Sequence, residues 1–242
     1  MTAAPTNRTT GLLLLSFALV VNLPYTLLQM NFDYPNILRR PAAEVLLRFH
    51  DGGLGLILTW FGFGLCALLF LPAAVLLPRL LAGGKSPWTG VAVSLGVASA
   101  LLQAIGLMRW ALVIPAVAEA YADPAAGEAT RAAAIMVYRA VHQYGGVVLG
   151  EQMGQLLLAG WSGLVALAML RSTLMPRFVG WLGLATVPPW LAAQVELLST
   201  VAPGLPKLAL GGPAFMLWVV WILATGVVLV LPRRAAPVAA GA

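Results

Sequence analysis

The chain has 242 residues, of which 61% are hydrophobic and only 9% charged, with a formal net charge of +6. A soluble domain carries about a quarter charged residues, so this composition excludes a water-facing globular surface and fits a polytopic helical membrane protein with lipid as its solvent. The positive balance is not a nucleic-acid signature, because the arginines are scattered beside apolar segments rather than gathered in a basic run with interleaved aromatics.

Six candidate spans follow in chain order, at roughly 11–30, 54–78, 88–116, 133–170, 178–200 and 213–232. Each reaches or exceeds the ~20 residues that cross a hydrocarbon core. The expected fold is all-α: six transmembrane helices in a single integral membrane domain over 1–242. The first span follows Arg8 and has no small-x-small cleavage site after it, so it reads as an uncleaved span. The loop after it holds "PAAEVLLRFHDGG", which starts at Pro41 and ends at Gly52-Gly53. This predicts a short interfacial helix leading into span two. Glu44 and Arg48 form an i,i+4 pair in it, and Leu46, Leu47 and Phe49 are placed on the membrane surface. Cys66, alone in the chain, lies mid-span in "FGLCALLF" and reads as a small packing residue. The fourth span is too long for one crossing, so its first part should project outside the core or bend at Gly145-Gly146.

Positive residues near span ends set orientation. One set of loops holds Arg8, Arg79, Lys85, Arg171, Arg177, Arg233 and Arg234 and no acid. The other holds Arg39, Arg40, Arg48, Arg131 and Lys207, diluted by Asp33, Glu44, Asp51, Glu119, Asp123 and Glu128. Both termini are therefore expected in the cytoplasm. Twelve arginines against two lysines suggest a GC-rich bacterial genome, and hence a bacterial inner membrane. Spans two, four and six end in "LLPR", "LMPR" and "VLPR", preceded by Trp60, Trp161 and Trp218; this is a weak sign of three duplicated hairpins.

Helical rise places Gln103 ~22 Å and Arg109 ~31 Å above the inner boundary, with Glu151 at ~28 Å. Nearly every ionisable group near a span thus falls on the outer side. Such groups are costly in lipid and usually face protein or a water cavity. The expectation is a polar pocket opening outward and closed inward by apolar helix halves. Arg109 and Glu151 are its preferred ion pair, Gln103 and Gln155 orient a ligand, and Trp60 and Trp110 form walls. The ligand would be a lipid headgroup or small amphiphile, held by the Arg109 fork. Alternatively the charged groups only fix helix packing or snorkel to the interface.

Span four carries a second pattern. His142, Gly146, Gly150 and Gly154 form an i,i+4 stripe suited to close helix approach. At 100° per residue Glu151 falls nearly opposite His142, on a face with Tyr144, Val148 and Gln155. The two histidines, His50 and His142, open an enzymatic alternative with a divalent metal or haem, although neither has ligand-motif spacing. A third possibility is an accessory subunit or homo-oligomer whose glycine stripe packs on a partner span. "GWSG" at 160–163 has a serine, but no histidine base follows it.

"NFDYPNILRRPAAEVLLRF", "QAIGLMRW" and "HQYGGVVLGEQMG" resemble a family of bacterial membrane proteins, the domain-of-unknown-function family numbered 4386. The resemblance runs from about Leu12 to Leu231. It implies a six-helix integral membrane protein and assigns no catalytic residue.

Overall fold

Long apolar runs have one stable form in lipid, because every backbone N–H and C=O must be satisfied within the segment. The computed structural model, which describes residues 3–82, 86–202, 204–206 and 208–231, is accordingly all-helical, with no strand among the described residues. Its helices are α1 (Ala3–Phe32), α2 (Ala42–Ala82), α3 (Trp88–Leu112), α4 (Ile114–Ala122), α5 (Glu128–Val141), α6 (Gly154–Arg171), α7 (Arg177–Leu198) and α8 (Gly211–Val230). A 3-10 turn at Asn36–Arg39 precedes α2, and a π-helical segment, His142–Met153, joins α5 to α6. Six segments are long and apolar enough to cross a membrane, as the sequence pattern implies.

The six crossings close into a ring. α1 packs on α2, α2 on α3, α3 on the π segment and α6, α6 on α7, α7 on α8, and α8 back on α1. Lipid tails are as apolar as the side chains, so tight packing rather than the hydrophobic effect holds such a ring together. A close backbone approach lies between Gly106 on α3 and Gly150 on the π segment. A Cβ added at Gly106 would lie 2.7 Å from the Gly150 Cα. Gly146 and Gly154 also face α3, against Arg109 and Gln103. The glycine stripe of span four is therefore a packing surface, but its partner is α3 of the same chain.

The third and fourth spans run past the bilayer. The stretch from Glu128 to Arg171 has 44 residues, about 66 Å of helix against a core of ~30 Å. α4 and α5 form the projecting hairpin, and Pro115 in the first turn of α4 marks where α3 ends. The hairpin rests on α2.

α2 breaks at Gly53, whose φ of 54° and ψ of −152° are open only to glycine. The short helix before the break matches the predicted one in length, but its contacts differ. It folds over the bundle, so Leu46 and Phe49 are buried and only Leu47 is exposed. Phe49 stacks on Trp110 at 5.6 Å and meets Phe32 edge-on. The expected Glu44–Arg48 pair is not formed. Glu44 binds Arg40 at 2.7 Å, and Arg48 faces Asp33 at 4.0 Å. The competitor is the 3-10 turn, which brings Arg40 within 2.5 Å of Asp33 as well.

Tryptophans fill one end of the ring. Trp161, Trp218 and Trp221 are buried around Phe70, with Phe70–Trp161 at 4.9 Å and Phe70–Trp218 at 5.4 Å. The Trp161 indole donates to the Ala74 carbonyl at 3.1 Å. The Trp218 indole donates to Ser162 at 3.0 Å, giving the "GWSG" serine a packing role. Cys66 is buried, as a packing residue should be. Of the three tetrapeptide ends, Pro232 and Arg233 lie outside the described residues, as do Lys85, Lys207 and Arg234.

Candidate functional site

The ring encloses a cavity of about 550 Å³. All six residues that sequence reasoning assigned to a ligand pocket line it: Trp60, Gln103, Arg109, Trp110, Glu151 and Gln155. They come from α2, α3, the π segment and α6. Its two ends differ chemically. Arg39, Arg109, Glu151 and Glu196 surround one end, and Phe17, Phe70 and Trp218 line the opposite end.

The expected Arg109–Glu151 ion pair is replaced by another. Glu151 Oε2 accepts from Arg39 at 2.8 Å. Arg39 sits at the end of the 3-10 turn, 112 residues away in sequence. Burial opposes the Arg39 charge, but the Glu151 carboxylate more than offsets this and holds the guanidinium above its ordinary range. Sequence reasoning missed Arg39 because it placed the arginine in a solvated loop. The only available signal was a net-basic "LRRP" beside a membrane carboxylate.

Arg109 is left with neutral partners. It is 7% exposed and donates to the Gly106 carbonyl, one turn back on α3. It lies 3.4 Å from His142 Nδ1, and its Cζ is 5.2 Å from the Trp110 ring centroid. It forms no ion pair with a carboxylate of the described residues. A buried guanidinium with no carboxylate in direct contact is expensive.

The π segment explains how His142 and Glu151 both approach Arg109. In an α-helix their nine-residue separation puts them on opposite faces. With i→i+5 bonding and ~4.4 residues per turn, nine residues make about two turns, which returns Glu151 to the His142 side. Glu151 thus leaves the face of Tyr144, which is exposed, and joins Gly146, Gly150 and Gln155 at the cavity wall. No kink at Gly145-Gly146 is needed.

Five buried polar atoms in the lining have no protein hydrogen-bond partner. They are the indole nitrogens of Trp60, Trp110 and Trp190, Arg109 Nε and Glu151 Oε1. Buried polar groups are normally paired, and each exception needs an explanation. Four of the five are donors, and all five are buried within the cavity wall. The polar side chains toward α6 and α7 are already partnered. Gln103 donates to Ser99 at 2.9 Å, and Gln194 donates to Gln155 at 3.1 Å.

The two histidines do not meet. His142 stacks on Tyr138 at 5.4 Å and is buried beside Arg109. His50 is exposed near Asp51 and Glu119, at 3.7 and 3.5 Å. Among the described residues no group of three or more His, Cys, Asp or Glu side chains is placed to hold a metal ion.

The model of a domain of unknown function, DUF4386, matches residues 9–226, and the chain belongs to that family. No curated protein and no solved structure matches it.

Proposed function

We propose that this DUF4386 protein binds an amphiphile with an acceptor-rich, anionic headgroup in the ring cavity. The observation that carries the reading is Arg109, a buried cation without a carboxylate partner at the polar end of an otherwise apolar chamber. A phosphate or carboxylate would complete its fork. Glu151 bonds Arg39 rather than Arg109, so no described carboxylate is in direct contact with the Arg109 fork. The described charges at the other end are Arg8, Arg79, Arg171 and Arg177, with no acid among them. This supports a multi-pass arrangement in a bacterial inner membrane with both termini in the cytoplasm and the cavity's polar end facing outward.

Native mass spectrometry of gently extracted protein tests the binding. A stoichiometric amphiphile on the wild type, lost in Arg109→Gln with unchanged elution on size exclusion, is the expected result. A wild-type chain that stays bare after incubation with anionic lipids, or an Arg109→Gln variant that keeps the adduct, overturns it. Sidedness has its own test in a Cys66→Ala background. Ala125→Cys should react with an impermeant maleimide in cells with a permeabilised outer membrane, and Thr173→Cys should not; the reverse pattern inverts the topology.

A further inference from the structure

The cavity's shape narrows the ligand further than its charge does. Phe17, Val21, Tyr25 and Gln29 line it at every fourth position of α1, a face about 18 Å long. On α3 the lining runs from Ala100 to Trp110, about 15 Å. A volume of about 550 Å³ over that length leaves a mean cross-section of roughly 30 Å². An alkyl chain with carbon contacts near 4 Å takes roughly 20 Å². One chain fits, and two side by side do not. The end opposite Arg109 is closed. Phe17 meets Trp218 edge-on at 5.8 Å, Phe70 bridges Trp218 and Trp161, and Trp161 meets Trp221 at 5.8 Å. A floor of this kind sets a maximum length for whatever lies above it.

Resting on the proposed binding function, we infer that the ligand is a single-chain anionic amphiphile, with its head at Arg109 and its tail ending on the Phe70–Trp218 floor. Each carbon of an extended chain advances roughly 1.25 Å, so 15–18 Å accommodates roughly 12–14 carbons. The cavity volume suits one such chain with its head. The head is an anionic group, carboxylate or phosphate monoester, and both match the Arg109 fork. Ala67, between Phe63 and Phe70 on the lining face of α2, stands beside the tail.

The test uses delipidated full-length protein and intrinsic tryptophan fluorescence. Its probes are tetradecanoate, octanoate, tetradecyl phosphate, ditetradecanoyl phosphatidate and tetradecanol. The single-chain anions of fourteen carbons should bind at least about tenfold more tightly than the diacyl lipid or the alcohol. The better of carboxylate and phosphate identifies the head. Ala67→Leu should weaken tetradecanoate by about tenfold while leaving octanoate within about threefold. Ala100→Leu, from the α3 wall, repeats that test if the first variant does not fold. Equal binding of the diacyl lipid, or a chain-length profile unmoved by the substitution, overturns the single-chain inference and leaves anionic binding intact. Binding of none of the anionic probes overturns both.

Discussion

Gly106→Ala probes the contact that aligns the two sides of the polar end. The new Cβ would lie 2.7 Å from the Gly150 Cα and 3.0 Å from the Gly145 carbonyl oxygen. Ordinary Cβ contacts begin at 3.4 Å, so α3 and the π segment must part by about 0.7 Å. Both obstructing atoms are backbone, so no side chain can swing aside. Overpacking of this kind costs roughly 1–3 kcal/mol, and the better helix propensity of alanine returns up to ~1 kcal/mol. The net loss should be about 1–2 kcal/mol. Gly62→Ala is the control, because a Cβ there meets nothing within 4 Å; it should be neutral or slightly stabilising. Both are measured by SDS titration in mixed micelles, following tryptophan fluorescence. Equal stability of Gly106→Ala and Gly62→Ala would refute the close approach. The spacing also sets where Arg109 stands relative to Glu151, so Gly106→Ala should weaken amphiphile binding even at temperatures where it is fully folded.

Three further outcomes follow from the geometry. Asp33 is held below its ordinary carboxylate range, chiefly by the hydrogen bond from Asn36 and then by Arg40 and Arg48. Its contribution is present above the unfolded carboxylate value and is lost as pH falls through the lower folded value. Melting temperature should therefore drop on acidification below about pH 4, and less steeply in Asp33→Asn, which keeps a residue suited to the φ of 55° there. Ser162→Ala leaves the buried Trp218 indole without its acceptor and should cost about 1–3 kcal/mol. In a double-mutant cycle with Trp218→Phe, the pair should lose less than the sum of the singles. Gly53→Ala must hold a backbone conformation open only to glycine and should lose about 1–3 kcal/mol; equal melting of the wild type and Gly53→Ala would place the α2 break elsewhere.

The spans were legible because hydropathy and helix length are local properties of the chain. So was the gathering of polar residues away from lipid: Trp60, Gln103, Arg109, Trp110, Glu151 and Gln155 all line one cavity. Their pairing was not legible. The choice between Arg109 and Arg39 as partner of Glu151 depends on how a four-residue 3-10 turn folds over the ring mouth, which no periodicity encodes. The face of Glu151 was misassigned for a different reason. The 100° rule assumes i→i+4 bonding, and the His142–Met153 segment departs from it. Leu46 and Phe49 were misplaced because a helix preceding a left-handed glycine can fold inward as readily as lie on the lipid. His142, one of two histidines in the chain, drew attention as a ligand, yet it stands behind Arg109 as a neutral neighbour.

The most direct measurement is an experimental density map of the protein in lipid nanodiscs, with the cavity inspected before any lipid is added. The account predicts one unbranched tube of density about 15–18 Å long, rising from the Trp218 floor to within hydrogen-bond distance of Arg109, with Arg39 still on Glu151. A cavity that has closed, with Arg109 turned onto Glu151 in a direct ion pair, would contradict it.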